Sequence, residues 1–214
     1  MRRANLMSWL LAAPLTALLA VFLILPILLI VAVSFWTADE FSFRPDFQFG
    51  NYEYLLGSAV AWKVFGLTFL FAIIVWALTV VIGFTIAYFL AFHVRTLKWQ
   101  MALFLLTTIP FWTSNIIRMI SWIPLLGKNG LVNQTLIGAG LISQPVEWLL
   151  YSGFSVCLAF VHLYTLFMVV PIFNTMMRID KSLLEAARDA GAGRFRVVAE
   201  VVWPLSRTGI ALGS

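Results

Sequence analysis

Long stretches without a charged residue constrain this chain more than any other feature. They run from Ala4 to Ala38, Val64 to Phe92, Trp99 to Ile117 and Trp148 to Met177. A helix that crosses a bilayer needs about 20 consecutive, mostly apolar residues, and each run is long enough, or nearly so, to supply one. A further apolar segment begins near Val201. The sequence therefore predicts an all-α fold, a polytopic bundle of membrane helices.

The composition excludes a soluble domain. Hydrophobic residues make up 62% of the 214 residues and charged residues 11%, whereas ordinary domains have about 45–50% and roughly 25%. The net charge of +5 does not indicate nucleic-acid binding, because the basic residues collect at the ends of the apolar runs, where they act as topology signals. The first run exceeds the roughly 7–15 apolar residues of a cleaved signal peptide, so we interpret it as a retained helix.

The loop charges predict an orientation. Ten Lys and Arg residues lie at the amino end, in residues 93–100 and in residues 178–207, and the other four lie in the alternate loops. Because positively charged loops stay in the cytoplasm, the amino terminus and residues 178–207 are expected there.

Several residue patterns that are typical of other functions are absent from the sequence. No Asp or Glu occurs between Glu53 and Glu147, whereas carriers driven by ion gradients commonly place acidic residues inside the bilayer. Gly127-Lys128 lacks the earlier glycine and the following Ser or Thr of a phosphate-binding loop. His and Cys residues show no metal-ligand spacing. We expect no enzyme activity, no catalytic residue, no metal and no cofactor.

The charged stretch 180–204 predicts a helix, a turn and a second helix. Ser182 and Glu185 fit a capping box, which predicts a helix that starts at Ser182, and Gly191 and Gly193 are expected to end it. An apolar stripe at helical spacing is formed by Leu183, Ala186, Ala187 and Ala190. The second helix is expected to bury Phe195, Val198 and Val202. Such a helix pair at a membrane surface is a candidate docking surface.

The same stretch resembles the EAA motif of bacterial ABC importer permeases, E-A-A-x3-G-x9-I-x-L-P. The matching positions are Glu185, Ala186, Ala187, Gly191 and Pro204, with Val201 in place of Ile and Trp203 in place of Leu. The resemblance implies that residues 180–204 form a cytoplasmic coupling loop, within one transmembrane domain of residues 1–214, that contacts a separate ABC ATPase.

A second stretch is similar to permeases of the spermidine/putrescine type. It comprises Pro110 to Arg118 and Gly127 to Asn133, together with residues 178–185. The resemblance implies a multi-pass protein of the bacterial inner membrane that works with a second permease subunit and a periplasmic solute-binding protein. Such permeases have six helices, so the chain is expected to be incomplete in the fifth.

Four residues of this second stretch are candidates for the translocation path or for a contact with the binding protein. They are Trp112, Asn115, Arg118 and Trp122. Arg118 follows a run just long enough to cross, so its side chain is expected to reach toward the outer surface. A cation there would repel a polyamine, which favours a structural or docking role. Two other functions stay open: a subunit of an ion-gradient-driven carrier, and a membrane scaffold that transports nothing.

Overall fold

The computed structural model of the protein describes the backbone of residues 2–39 and 42–214 and the side chains of residues 11–37, 42 and 44–214. Its contacts divide the chain into two units, Met1–Leu67 and Thr68–Ser214, which are treated separately below. Both units consist mainly of helices, which confirms the predicted all-α class.

The first unit is a long helix followed by a small loop structure. Helices α1 (Arg2–Leu19) and α2 (Leu25–Val33) are joined without a break by a π turn, Ala20–Ile24. A short antiparallel hairpin follows, with β1 (Thr37–Asp39) paired to β2 (Ser42–Arg44). Helix α3 spans Gly50–Gly57. The ring of Phe35 packs against Phe47, Phe49 and Tyr52, which joins the hairpin region to α3.

The second unit contains most of α4 (Ala59–Tyr88) and the shorter helices that follow it. A π turn at Phe89–His93 ends α4, and buried Gln100 donates from its amide to the carbonyl oxygens of Leu90 and Ala91. The shorter helices are α5 (Leu97–Thr108), α6 (Asn115–Ile120), α7 (Ile123–Leu126) and α8 (Leu131–Gly138). Short 3-10 turns occupy Ile109–Trp112 and Glu147–Leu149.

The remaining helices surround the core of this unit. They are α9 (Gly153–Met176), α10 (Lys181–Asp189), α11 (Arg194–Val197) and α12 (Trp203–Gly213). Helices α11 and α12 are continuous through a π turn at Val198–Val202. The core cluster joins the carboxyl end of α4, α9 and the α10–α12 region, and its most buried members include Ala87, Ile172, Phe173, Val197 and Val202.

The four-residue spacing of Gly83, Ala87 and Ala91 predicts a helix face that another helix can approach closely, and the structure confirms a close contact there. All three are buried, and a Cβ placed on Gly83 would lie 2.8 Å from Cγ of Met168 in α9. The α9–α12 contact is closer still. A Cβ on Gly209 would lie 2.7 Å from the Pro171 carbonyl oxygen and 3.0 Å from Cα of Ile172. The backbones themselves therefore touch at this crossing.

Two of the π turns end two residues before a proline. The N–H of Leu25, before Pro26, bonds the carbonyl of Ala20, and the N–H of Trp203, before Pro204, bonds that of Val198. Proline cannot donate to the carbonyl four residues back, so the preceding turn has a free acceptor and widens. A proline within an apolar run indicates a distorted helix, but its position alone does not predict the wider turn.

The third apolar run does not form one straight helix. Within the residues that the structure describes, three segments are long and apolar enough to span a membrane: Leu11–Val33, Ala59–His93 and Glu147–Met176. A fourth is counted only if Leu97–Trp112 and Asn115–Gly138, which meet at 95°, form one broken span. The break follows Pro110, and proline is a residue that commonly kinks a helix.

Candidate functional site

The first helix of the EAA loop (residues 180–204) begins one residue earlier than predicted. Asp180 is its cap, and its carboxylate accepts a hydrogen bond of 3.0 Å from the N–H of Ser182. This bond holds the pKa of Asp180 below its ordinary value. The cap therefore stabilises the helix fully at pH values above the ordinary pKa, and this stabilisation is lost as the pH falls through the lowered pKa. The predicted capping box of Ser182 and Glu185 is wrong, because Glu185 lies in the middle of α10.

Gly191 ends α10 as predicted, whereas the prediction that Gly193 also ends this helix is wrong. Gly191 has φ +84°, a left-handed conformation that costs residues with a Cβ roughly 1 kcal/mol or more. The N–H of Gly191 bonds the Arg188 carbonyl at 2.9 Å, and the N–H of Ala192 bonds the Ala187 carbonyl at 3.0 Å. This pair of bonds is a Schellman motif, which fixes the direction in which the chain leaves the helix. Gly193 has an ordinary φ of −65° and begins the next helix.

The outward face of α10 carries the two residues that open the motif. Glu185 and Ala186 are exposed and Ala187 is half-buried. The residue that anchors α10 to the core is Leu184, 4% exposed, which the sequence did not single out. Because Leu183, Ala186 and Ala190 are exposed, most of the predicted apolar stripe faces away from the chain's own core.

The second helix of the loop buries a different face from the one predicted. Phe195 is 85% exposed, whereas Val197 is buried together with Val202. The prediction that Phe195 is buried is therefore wrong, and the predicted set of buried residues did not include Val197. The reason is that the π turn shifts the register between Val197 and Val202. On the outer face, Arg196 and Glu200 form an ion pair of 2.9 Å.

Pro204 and Trp203 begin α12. Pro204 is exposed, and its missing N–H accompanies the wider π turn that precedes it. Trp203, the departure from the EAA pattern, packs its ring 5.3 Å from that of Phe84 in α4. The larger side chain is therefore accommodated at this position.

The candidate path residues are only partly brought together. Arg118 is 7% exposed and donates from Nη2 to the Asn115 side-chain oxygen, so the prediction that it reaches toward the surface is wrong. The break after Trp112 places Arg118 on the short helix α6 instead of the end of a straight span. Trp112 itself is 86% exposed and does not line the pocket that Arg118 lines.

Arg118 and Trp122 line a pocket of about 410 Å³, called the Arg118 pocket below. The Trp122 ring lies edge-to-face with His162, with centroids 5.6 Å apart. The other lining residues come from α4, α5 and α9 and the turn after α5; the polar ones are Thr107, His162 and Thr165. His162 lies within the fourth apolar run, and nothing in the sequence places it beside Trp122.

The stretch from Gly127 to Asn133 has a structural role. Asn133 is fully buried, and its amide donates to the carbonyl oxygens of Gly127 and Val146 while its oxygen accepts from the Val146 N–H at 2.8 Å. A Cβ on Gly130 would lie 2.7 Å from the Leu125 carbonyl oxygen. An exposed ion pair of 2.6 Å between Lys128 and Glu147 joins the same two segments. These contacts hold the connection between α7 and α9.

Comparisons with known proteins give relatives along most of the chain. The spermidine/putrescine transport system permease PotB of Escherichia coli is 33% identical over 196 residues, 91% of this chain and 70% of PotB. PotB of Salmonella typhimurium is also 33% identical, with 67% of its length covered. The lactose transport system permease LacF of Rhizobium radiobacter is 28% identical, with 88% of this chain and 64% of LacF covered. No family model matches the chain.

A bundle of apolar helices with these relatives defines a membrane-spanning transport subunit and not an enzyme. The chain belongs to the ABC transporter permease family, in the group of the spermidine/putrescine permease PotB. It spans about two thirds of the length of the PotB relatives. Across the described residues, no three His, Cys, Asp or Glu side chains are grouped as metal ligands.

Proposed function

We propose that this chain is one of two permease subunits that form the translocation path of an ATP-driven importer in the bacterial inner membrane. Its partners are a second permease subunit, a cytoplasmic ABC ATPase and a periplasmic solute-binding protein. The relatives leave two classes of solute open: a polyamine, for which PotB is named, or another small solute. The EAA loop couples the ATPase to the membrane helices.

The observation that carries this proposal is the geometry of the EAA loop. Helix α10 is held to the core by Leu184 and is ended by the Schellman motif at Gly191, while Glu185 and Ala186 remain exposed. A rigid helix with a small-residue outer face is suited to insertion into a groove of another protein. Exposed Phe195 adds a large apolar side chain next to this face, of the kind that forms binding hot spots.

Reconstitution tests the proposed function directly. The full-length permease, assembled in lipid with its partner permease and ATPase, is expected to retain the ATPase through purification and to hydrolyse ATP faster when loaded binding protein is added. A membrane scaffold would retain the ATPase without this stimulation. A carrier driven by an ion gradient would transport without the ATPase.

The proposed orientation is tested by cysteine labelling. Ser42 and Thr96 are both exposed, and the loop charges place Ser42 outside and Thr96 in the cytoplasm. A cysteine at position 42 is expected to react with a membrane-impermeant thiol reagent in cells with a permeabilised outer membrane, whereas one at position 96 reacts only after lysis. Labelling in the reverse pattern would contradict the orientation and the cytoplasmic location of the EAA loop.

A further inference from the structure

The Arg118 pocket contains hydrogen-bond donors that have no acceptor. Among the residues that the structure describes, neither Nε of Arg118 nor Nε1 of Trp122 has a hydrogen-bond partner, although both atoms are buried. A buried donor left unpaired costs about 1–3 kcal/mol, and more when it is charged. Both residues line the same pocket, and a small rotation of either side chain would present its unsatisfied N–H group to a molecule in the pocket.

The charge of Arg118 is also uncompensated. The guanidinium donates to the neutral amide oxygen of Asn115, and none of the residues lining the pocket, all within 68–214, is Asp or Glu. The sequence has no acidic residue from position 54 to position 146. A buried cation normally pairs with an anion, since isolated burial of a charge is strongly unfavourable.

From these observations we infer that the Arg118 pocket binds a carboxylate group of the transported solute. The inference rests on the importer function proposed above and specifies its substrate class. Arginine suits this ligand, because its planar fork of N–H donors matches the two oxygens of a carboxylate. The indole N–H of Trp122 supplies a further donor to the same group.

A protonated polyamine fits this pocket poorly. Its ammonium groups only donate hydrogen bonds, so they would leave both N–H groups unpaired and would be repelled by the guanidinium. Membership of the family does not settle the solute, since relatives are named for spermidine and putrescine and for lactose. The volume of about 410 Å³ lies within the range of small-molecule sites, about 300–1,000 Å³.

A matched set of solutes distinguishes the chemical classes. 4-Aminobutyrate and putrescine have the same four-carbon length, but one end of 4-aminobutyrate is a carboxylate instead of an ammonium. Lactose provides neutral acceptors. Each is added to the full-length permease assembled with its partner permease and ATPase in lipid nanodiscs, and binding is measured as the rise in the thermal unfolding midpoint of the permease.

4-Aminobutyrate is expected to raise the midpoint, while putrescine and lactose leave it unchanged. Arg118→Gln is expected to weaken the apparent affinity for 4-aminobutyrate about tenfold or more, because it removes a charge-assisted hydrogen bond. Trp122→Phe removes only the indole N–H and is expected to weaken it by roughly two- to tenfold. Lys128→Gln, which removes a cation from an exposed ion pair outside the pocket, leaves the affinity unchanged.

The inference is overturned if 4-aminobutyrate produces no stabilisation up to its solubility limit, or if putrescine or lactose binds better. It is also overturned if Trp122→Phe and Arg118→Gln bind 4-aminobutyrate as the parent does. Should Arg118→Gln fail to assemble, Trp122→Phe and the three solutes still decide the outcome. ATPase retention is measured in the same particles, and its loss in the parent protein would contradict the importer proposal instead.

Discussion

Replacing Gly209 by alanine is expected to destabilise the α9–α12 pair. The new Cβ would lie 2.5 Å from Oγ1 of Thr175, 2.7 Å from the Pro171 carbonyl oxygen and 3.0 Å from Cα of Ile172. Two of these neighbours are backbone atoms that cannot rotate away, so the helices must separate. Overpacking of this kind costs about 1–3 kcal/mol, and Gly209→Leu is expected to cost more. The thermal unfolding midpoint of the purified permease measures the effect.

Two other glycines give a graded control. A Cβ on Gly66, inside α4, has nothing within 4 Å, so Gly66→Ala gains helix propensity of about 1 kcal/mol without a clash. The Cβ of Gly83→Ala meets the side chain of Met168, which is flexible and can move. The unfolding midpoint of this variant is therefore expected to lie between those of the other two. If Gly209→Ala were as stable as Gly66→Ala, the close approach of α9 and α12 would not hold in the membrane.

Gly191→Asp is expected to uncouple the ATPase from the permease while leaving membrane insertion intact. With φ +84° at this position, a residue with a Cβ is strained, and relief of the strain breaks the two bonds of the Schellman motif. Helix α10 then leaves its fixed direction, and the exposed face of Glu185 and Ala186 is misplaced. The measurements are retention of the ATPase and hydrolysis stimulated by loaded binding protein, both in the assembled full-length permease.

Gly193→Asp is the matched control for this experiment. It adds the same charge two residues away, at a φ of −65° that any residue adopts and at a helix cap where Asp is favoured. It is expected to keep the ATPase. Equal loss of the ATPase in both variants would show that the added charge causes the effect. Normal coupling in Gly191→Asp would mean that the loop is not the coupling element.

The sequence predicted the features that depend on local chemistry. Apolar runs without charge identified the membrane segments, and Gly191 was expected to end a helix because a left-handed residue is needed there. The small residues Gly83, Ala87 and Ala91 correctly marked a close helix contact. Each of these follows from the residue itself or from its spacing along one helix.

The errors concern features that depend on tertiary packing or on irregular helix geometry. The inward side of α11 was misassigned to Phe195 because a π turn changes the 3.6-residue period at Val198. Arg118 was expected near the surface because the 95° break after Trp112 was not foreseen. Asp180 and Ser182 both favour helix caps, and only the hydrogen bond decides between them.

The unbroken helix from Arg194 to Gly213 has a mechanical consequence. Twenty residues at about 1.5 Å each make a helix of roughly 30 Å. The Schellman turn lies before one end of this helix, and Gly209 contacts α9 near the other. The π turn at Val198–Val202 is the compliant section between them. If the ATPase displaces the EAA loop as proposed, the displacement passes through this turn to the contact of Gly209 with α9, so the stiffness of the turn determines how far α12 moves.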